Sequence, residues 1–434
     1  MTQPLSVGIA GLGTVGAGVL RVLRDNAEIV AARAGRPVVV TAVSARDRTR
    51  DRGVPLTGLR WYEDAAALAA DPSVDVVVEL IGGSDGPARA LVQAAIAAGK
   101  PVVTANKALI AVHGAALAAD AEKAGVSLGF EAAVAGGIPV IKALREGLAA
   151  NRISRVAGIL NGTCNYILTT MRERGREFAE VLAEAQKLGY AEADPSFDVD
   201  GVDAAHKLAI LAALAFGRRV SFDDVYVEGI RTISAIDIAF ARELGYRIKL
   251  LGIARQVADG PEAGVETRVH PCLVPEDMPL ARVEGVFNAV VAEGDFVGRV
   301  MLEGRGAGAG PTASAVVADL IDLARGRTTP VFGVASSALS NAPARPMAAL
   351  VGAYYLRLMV VDRPGVIADV TAALRDAGVS LESMLQHGRA PGEAVPVVIV
   401  THETRESAMR AALARIEVLE TVLQKPALIR IEAG

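Results

Sequence analysis

The chain has 434 residues, of which 52% are hydrophobic and 4% aromatic, a length that can fill the cores of two or three domains. Its formal net charge of −4 excludes the strongly basic surface that nucleic acid requires, so we expect small molecules as partners. No apolar run reaches the length of a membrane span, and the N-terminus lacks the basic and cleavage regions of a signal peptide. We therefore predict a cytoplasmic protein with no membrane partner.

The first residues have the pattern of a dinucleotide-binding domain. An apolar strand at residues 5–10 runs into the turn GLGTVG, and a helical pattern follows at residues 15–23. Glycines make such a turn tight, let a pyrophosphate approach the backbone at the helix N-terminus and let the helix pack on the strand. A glycine-rich turn without a ligand is the alternative. The predicted cofactor contacts of the turn are Gly11, Gly13, Thr14, Val15 and Gly16.

The end of the second strand bears on the choice between the two nicotinamide cofactors. We place this strand at residues 38–43, followed by SARDRTR. Arg46, with Arg48 and Arg50 behind it, would bind the 2′-phosphate of NADP, whereas an acidic residue there would bind the ribose hydroxyl of NAD. NADP is therefore predicted, with Arg46 as its contact. Asp47 leaves NAD open if the strand ends one residue later, and solvated loop charges are a third alternative.

Lys107 follows directly after a buried strand. Residues 74–80 and 101–104 are predicted as parallel strands, with a helix between them at residues 88–98. The second strand runs into ANKALI, which places Lys107 at the carboxyl edge of the sheet, where ligands bind in open parallel sheets. Lys107 is therefore a candidate contact for cofactor and substrate. An ordinary lysine at the start of a helix is the alternative.

The segment GYAEADPSFDVDGVDAAHKLAIL, residues 189–211, concentrates acidic side chains in front of one lysine. Its first half is predicted as a loop, because Pro195 and Gly201 interrupt it. The second half is predicted as a buried helix on which Asp203 and Lys207, four residues apart, share a face. Acids directed at such a lysine suit a small cationic substrate and a proton transfer. An acidic loop that caps a helix, with Lys207 merely paired to Asp203, is the alternative.

This segment closely resembles the substrate-binding segment of homoserine dehydrogenases, and the runs TANKA and NGTCNYIL resemble two further motifs of that family. The resemblance implies the NADPH-dependent reduction of L-aspartate 4-semialdehyde to L-homoserine, on the route to threonine, methionine and isoleucine. It implies that Lys207 donates a proton and that Lys107 orients the carbonyl oxygen and the nicotinamide. It also implies substrate contacts at Glu192, Asp198 and Asp203.

Two glycine-rich segments acquire a role from the same resemblance. The run FEAAVAGGIP, residues 130–139, is predicted as a strand that leaves the nucleotide domain through a turn, and in the family it binds a monovalent cation, expected to be sodium. The matching cation ligands are the Glu131 side chain and the backbone carbonyls of Val134, Gly136 and Ile138.

The second segment contains Gly308, which stands in front of a helical run. It matches a family contact to the cofactor, and a mobile linker is the alternative there.

The fold class is predicted as α/β, in three parts. An NAD(P)-binding Rossmann domain at residues 1–135, completed by a returning segment at 305–335, precedes an α+β substrate-binding and dimerisation domain at 136–304. A linker at 336–348 leads to a ferredoxin-like βαββαβ unit at 349–434, which we expect to be self-contained. In this unit DRPGVIADV resembles the opening of ACT domains, which implies an amino-acid effector, expected to be threonine. We expect a homodimer or homotetramer.

Other interpretations remain open on sequence alone. Cys164 could serve as a nucleophile, although its neighbours Thr163 and Asn165 offer no base, and Cys164 and Cys272 are both predicted to be small buried thiols. Another NADP-dependent oxidoreductase of similar architecture would share the glycines without needing the acidic segment. A non-catalytic amino-acid sensor would use the C-terminal unit alone.

Overall fold

The structure, a computed structural model, describes residues 3–257, 263–388 and 391–433. They form a nucleotide domain, a substrate domain and a C-terminal unit. Among the described helices, none is both long and apolar enough to cross a lipid bilayer.

The nucleotide domain is a six-stranded parallel sheet in the order β3-β2-β1-β4-β5-β6, the doubly wound arrangement that binds dinucleotides. Its strands are β1 (Leu5–Ala10), β2 (Val38–Ser44), β3 (Arg60–Tyr62), β4 (Val76–Glu79), β5 (Val102–Thr104) and β6 (Leu128–Gly129). Its helices are α1 (Thr14–Asp25), α2 (Ala27–Ala34), α3 (Ala66–Ala70), α4 (Pro87–Ala97) and α5 (Lys107–Ala124). Strands β1 and β4 are buried because the sheet is covered on both faces, which explains their continuous apolar sequences. The predicted Rossmann-type fold is confirmed.

The substrate domain packs helices against an antiparallel sheet. Its helices are α6 (Val140–Lys142), α7 (Gly162–Arg174), α8 (Phe178–Lys187), α9 (Ser196–Val199), α10 (Val202–Phe216) and α11 (Ala235–Glu243). Its strands are β7 (Ile153–Ile159), β8 (Tyr226–Val227), β9 (Tyr246–Val257), β10 (Gly264–Pro275), β11 (Phe287–Gly294) and β12 (Gly298–Arg305). Helix α12 (Ala309–Ala324) then returns to the nucleotide domain, where a Cβ on Gly18 of α1 would lie 2.6 Å from the Ala309 carbonyl oxygen. The missing side chain of Gly18 lets the two helices pack closely.

Three local predictions differ from the structure. Strand β11 was not predicted, because its short apolar run cannot be assigned to helix or strand by periodicity. The predicted strand at residues 130–139 is wrong, since β6 ends at Gly129 and a single 3₁₀ turn, Glu131–Ala133, follows. The predicted loop in the acidic segment contains the one-turn helix α9, which begins directly after Pro195. Proline is well tolerated at such a helix start.

The C-terminal unit has the predicted βαββαβ order, with one additional two-residue strand. Its elements are β13 (Val351–Val361), α13 (Val366–Asp376), β14 (Leu381–Gln386), β15 (Ala394–Thr401), β16 (Thr404–Arg405), α14 (Glu406–Ile416) and β17 (Ala427–Ile431). The main strands pair in the order β17-β13-β15-β14. Both helices pack on the same core, with Val370 of α13 and Met409 of α14 fully buried.

The expectation that this unit is self-contained is wrong. Strand β17 pairs in parallel with β10, with Cys272 opposite Arg430, so that the C-terminal strands continue the sheet of the substrate domain. Buried ion pairs also cross the boundary: Arg430 with Glu228, Arg357 with Asp237, and Glu432 with Arg155 and Arg268. Burying these charges requires their partners, so the C-terminal unit is packed against the substrate domain rather than separate from it.

The segment at residues 336–346 is likewise attached to the body of the protein. The backbone N–H of Ser336 and its hydroxyl donate to the Glu122 carboxylate. Further along, the Ser340 N–H donates to the Gly217 carbonyl at 2.9 Å, and the Val265 N–H donates to the Pro343 carbonyl at 3.0 Å. This connecting segment is therefore an ordered strap along the substrate domain.

We expect Arg430→Met to lower the free energy of unfolding by about 3–5 kcal/mol, because it removes the buried cation that pairs with the buried Glu406 and the half-buried Glu228 and leaves them only the half-exposed Arg410. Arg375→Met is the matched control, since Arg375 pairs with Asp376 at the surface with 74% of its side chain exposed, and we expect a loss below about 1 kcal/mol. Urea unfolding of both variants measures the difference. Equal small losses would show that the C-terminal unit does not depend on these pairs.

Candidate active site

A cleft of about 560 Å³ lies where the nucleotide domain meets the substrate domain. The nucleotide side contributes the starts of α1 and α5, and the substrate side contributes the starts of α7 and α10. The turn at residues 132–136 and the segment at residues 305–308 line the cleft between them. Residues that are far apart in the sequence are thus brought to one surface, which can hold a cofactor and a substrate side by side.

The glycine turn at the start of α1 is built as the fingerprint predicts. Gly11 has a φ of +98°, and a Cβ there would lie 2.4 Å from the Leu80 carbonyl oxygen. At Gly16 a Cβ would lie 2.1 Å from the Gly11 carbonyl oxygen, whereas at Gly13 it would meet nothing within 4 Å. The N-terminus of α1 has no side-chain cap. Free N–H groups beside open space fit the pyrophosphate of a dinucleotide.

The second predicted cofactor segment is ordered. Gly308 has a φ of +115° and immediately precedes α12, whose N-terminus also lacks a side-chain cap. It lines the cleft together with Val15 of α1, while Thr14 is exposed beside the turn. These positions suit contacts with the cofactor.

The end of β2 does not decide which residue contacts the ribose of the cofactor, so that contact stays a prediction. The strand ends at Ser44, one residue beyond the predicted end, which is the condition under which Asp47 would serve NAD. However, the Asp47 carboxylate accepts hydrogen bonds from the N–H and the hydroxyl of Thr49, at 2.8 and 2.7 Å. Arg46 is exposed and, within the described ranges, has no hydrogen bond or ion pair. Arg46 is thus the group that is free to meet a phosphate.

Asp203 lies between the two lysines that the sequence singled out. Its Oδ2 is 2.7 Å from Lys207 Nζ on the same helix, and its Oδ1 is 3.1 Å from Lys107 Nζ at the start of α5. The side chains of Asp203 and Lys207 are 6% and 11% exposed, while that of Lys107 is 31% exposed. Lys207 Nζ also donates to the Leu160 carbonyl at 2.7 Å, so that two of its three N–H groups are bonded within the protein.

Asp198 joins this centre through Asn161, which the sequence analysis did not single out. The Asn161 Nδ2 donates to Asp198 Oδ1 and to Asp203 Oδ2, both at 2.8 Å. Asn161 also caps α7, because its Oδ1 accepts from the Cys164 N–H. Its position at the end of β7, just in front of a helix, was a signal that could have identified it as a cap.

The neighbouring charges determine whether Asp203 and Asp198 are protonated. Burial alone would raise the pKa of Asp203, but the ammonium groups of Lys207 and Lys107 hold it well below its usual range. Burial raises the pKa of Asp198, and the neighbouring Asp203 carboxylate raises it further. Asp203 is therefore ionised at neutral pH, and a cation bound at Asp198 would favour the ionised form of that carboxyl group as well.

Cys164 does not have the environment of a nucleophile. It is fully buried, and burial together with the nearby Asp198 carboxylate raises the pKa of its thiol well above the usual value. Its Sγ donates to the Asp198 carbonyl at 3.2 Å. The side chain remains a neutral thiol that helps to position α9.

Comparison with known proteins agrees with this geometry. The family models for the catalytic domain and the NAD-binding domain of homoserine dehydrogenase match residues 139–321 and 11–131, and the ACT domain model matches residues 354–419. A homoserine dehydrogenase from Pseudomonas aeruginosa is 51% identical over 440 residues, covering 99% of each chain. The chain belongs to the homoserine dehydrogenase family.

Solved structures of homoserine dehydrogenases superpose on all or most of the chain. The enzyme from Thiobacillus denitrificans has a TM-score of 0.93 and 50% identity, covering 99% of each chain. A hyperthermophilic archaeal homoserine dehydrogenase, solved in complex with NADPH, has a TM-score of 0.64 and 26% identity, covering 76% of this chain and all of that one. The expected dehydrogenase and ACT domains are confirmed. The chain is an oxidoreductase acting on a CH–OH group, and the non-catalytic alternative is wrong.

Asn288 also lines the cleft, and the sequence had not singled it out. It is 1% exposed, and neither polar atom of its amide has a hydrogen-bond partner within the described ranges. A Cβ on Gly306 would lie 2.1 Å from its Nδ2, so only a glycine leaves room for the amide beside the cleft. An unpaired buried amide is uncommon, and a water molecule or a ligand that reaches it from the cleft would satisfy it. Its signal in the sequence is a single polar residue within the apolar run of β11.

Glu192 is not brought into the cleft. It is exposed, and its backbone carbonyl accepts a hydrogen bond from Gln186 Nε2 at 3.0 Å. The nearby Gly189 and Tyr190 do line the cleft, so Glu192 lies in a segment at its rim. Contact between Glu192 and the substrate stays a prediction.

The predicted cation ligands all fall within residues 131–138, where the chain passes from the nucleotide domain to the substrate domain. The buried Glu131 carboxylate accepts from the N–H groups of Ile141 and Lys142, while burial and the Asp319 carboxylate raise its pKa to about 7. In the adjoining turn Ala135 has a φ of +56° and Gly136 a φ of +48°. A carboxyl group that is costly to ionise, next to irregular backbone carbonyls, fits a cation that would favour its ionised form.

We expect Asn288→Ala to lower kcat/KM by about 10- to 100-fold, the worth of a lost hydrogen bond to a ligand, with an unchanged melting temperature because the amide has no protein partner. Asn165→Ala is the matched control. The buried amide of Asn165 donates to the Val283 and Phe287 carbonyls, so this variant should lose stability. A destabilised Asn288→Ala protein with normal kinetics would assign Asn288 to packing instead.

Proposed function

We propose that the protein reduces L-aspartate 4-semialdehyde to L-homoserine with NADPH, on the route to threonine, methionine and isoleucine. The observation that carries this proposal is the pair of lysines joined by Asp203 in the cleft beside the glycine turn. One ammonium group can supply a proton while the other orients an oxygen. Membership in the homoserine dehydrogenase family supports the same substrate.

Lys207 is the proton donor in this proposal. Two of its N–H groups are held by Asp203 and the Leu160 carbonyl, which leaves the third for the oxygen of the substrate. Lys107 lies at the nucleotide side of the cleft, where its ammonium group stabilises negative charge on the same oxygen and contacts the nicotinamide. NADPH, when bound along the glycine turn, supplies the hydride.

The amino group of the substrate requires an acceptor in the cleft. The Asp198 carboxylate lines the cleft and shares Asn161 with Asp203. Burial penalises its ionised form, a cost that an ammonium group would offset. Glu192 would add a second carboxylate if the rim segment closes over the substrate. Asp203 sets the position and charge of Lys207.

NADP is the proposed cofactor, with NAD as the alternative. Arg46 is the first exposed cation after β2, and one carboxylate oxygen of Asp47 is bonded to Thr49. The archaeal relative was solved with NADPH, which supports the choice. The proposed contacts at the pyrophosphate are Gly11, Gly13, Thr14, Val15 and Gly16, with Gly308 and Lys107 near the nicotinamide.

A monovalent cation, with sodium as the proposed ion, belongs to the same site. Glu131 and the carbonyls of Val134, Gly136 and Ile138 would hold it. The Gly137 N–H donates to the Arg305 carbonyl at 3.0 Å, which ties this turn to the segment that precedes Gly308. The ion would balance the buried Glu131 charge and stabilise the turn, a structural role.

The proposal also includes an amino-acid effector and self-association. The ACT domain supports regulation by an amino acid, with threonine as the proposed effector. A homodimer or homotetramer is supported by β12, which is an edge of the large sheet and carries the partly exposed apolar residues Val300, Met301 and Leu302. Light scattering on the purified protein measures the assembly.

We expect Arg46→Ala to weaken NADPH binding by about 1–3 kcal/mol, the range of a charge-assisted contact, while NADH binding changes little. Arg33→Ala, which changes an exposed arginine of α2, is the control. Dissociation constants for both cofactors measure the effect. Equal losses for NADPH and NADH would contradict the 2′-phosphate assignment.

We expect Lys207→Ala to lower kcat by about 10²- to 10⁴-fold in NADPH oxidation with L-aspartate 4-semialdehyde, because a positioned acid is lost, with the NADPH dissociation constant hardly altered. Lys187→Ala, which changes an exposed lysine of α8, is the control. Near-normal turnover in a folded Lys207→Ala protein would refute the assignment. A wild-type protein that reduces other aldehydes but not this one would favour a different NADP-dependent oxidoreductase.

The pH profile gives an independent check on Lys207. Asp203→Asn keeps the size of the side chain but removes the negative charge that favours the protonated lysine. We expect the alkaline limb of the rate profile to move to lower pH, because the proposed proton donor has lost the carboxylate beside it. An unmoved alkaline limb would mean that the acid titrating there is another group.

A further inference from the structure

The aromatic ring of Phe197 lies against one of the two lysines of the cleft. Phe197 is the second residue of α9, and 44% of its surface is exposed. The Nζ atom of Lys107 lies over this ring, 5.5 Å from the ring centre. At such a distance the negative face of an aromatic ring attracts an ammonium group. The two side chains therefore form a cation–π contact beside the cleft.

Lys107 needs a second contact to keep its ammonium group in place. Its side chain is a flexible four-carbon stem that remains 31% exposed, so conformations that point the ammonium group into water compete with the one in the cleft. Within the described ranges, its one polar contact is the ion pair with Asp203, at 3.1 Å. The ring of Phe197 favours the same conformation without adding a charge.

The one-turn helix that carries Phe197 is itself held by the substrate domain. The Val199 carbonyl accepts from the Ile230 N–H at 2.9 Å, and the Asp198 carbonyl accepts from the Cys164 thiol at 3.2 Å. Helix α9 is therefore a fixed support, from which the ring of Phe197 reaches a lysine of the other domain.

The imidazole of His206 packs against the same ring, with 5.5 Å between the two ring centres. Its other aromatic neighbour is Phe222, at 4.3 Å. Burial and the ammonium group of Lys107 lower the pKa of His206, so that this imidazole is uncharged at neutral pH. It therefore supports the ring of Phe197 without competing with Lys107 as a second cation.

We propose that Phe197 is a positioning residue for Lys107, whose ammonium group its ring holds where it meets the substrate oxygen and the nicotinamide. The inference rests on the role of Lys107 in the proposed function. Asp198, the next residue of α9, is the proposed acceptor of the substrate ammonium group. One turn of helix thus positions both the substrate and a lysine that acts on it.

The test changes the ring in three ways in the full chain. Phe197→Leu keeps an apolar side chain without a ring, and Phe197→Tyr keeps the ring. A phenylalanine that carries three ring fluorines, incorporated at position 197, keeps the shape but withdraws negative charge from the ring face. Phe296→Leu is the matched control, because Phe296 is 90% exposed in the turn between β11 and β12. Phe197→Leu is also combined with Lys107→Ala.

We expect Phe197→Leu and the fluorinated protein to lower kcat/KM for L-aspartate 4-semialdehyde, and to raise the NADPH dissociation constant, by about 2- to 5-fold, the worth of a partly exposed cation–π contact. Phe197→Tyr and Phe296→Leu should behave like the wild-type protein. In the Lys107→Ala protein, Phe197→Leu should cause no further loss, because the ring has no cation to hold.

Three results would overturn the inference: normal kinetics in Phe197→Leu, equal losses with and without Lys107, or wild-type kinetics in the fluorinated protein, which would assign the ring to packing. If Phe197→Leu does not fold, the fluorinated protein decides, because its side chain keeps the native shape. A wild-type protein that is inactive on this aldehyde would contradict the proposed function instead. The NADPH dissociation constants, measured without aldehyde, would then decide the inference.

Discussion

The active cleft depends on one buried carboxylate shared by two ammonium groups. Asp203 is 4% exposed, a position in which an isolated charge would be unstable. Lys207 on the same helix and Lys107 from the other domain offset that cost, and Asn161 adds a hydrogen bond. Since Lys107 belongs to the nucleotide domain and Asp203 to the substrate domain, the contact also fixes how the two domains approach. The same three side chains therefore carry the proposed chemistry and one of the contacts between the domains.

The second organising feature is the shared sheet. A parallel pairing of β10 with β17 and several buried ion pairs make the C-terminal unit part of the body of the enzyme. In such an arrangement, movement of the C-terminal strands is transmitted to β10 directly through backbone hydrogen bonds. The neighbouring β8 and α9 then lie within a few residues of the substrate contacts.

Much of the fold and the centre of the site could be predicted because their signals are local. The glycine turn, the buried helix with Asp203 and Lys207 four residues apart, and the βαββαβ order are all patterns within short windows. Asn288 and Asn161 were missed because an amide has no distinctive spacing, and its role depends on which distant residues leave it without a partner. The attachment of the C-terminal unit was missed for the same reason: Arg430 and Glu228 meet only in three dimensions. Glu192 is the opposite case. The sequence motif singled it out, but its side chain faces solvent in this structure.

The pairing of β10 with β17 has a consequence for biosynthesis of the chain. Every other strand of the large sheet is translated before β17, so β10 remains partly unpaired while the C-terminal unit is made, which takes seconds at about 5–20 residues per second. During that interval an open strand edge and the unpaired Arg268 are exposed in the nascent protein. Premature termination in the last helix or beyond would therefore produce an aggregation-prone product rather than an unregulated enzyme.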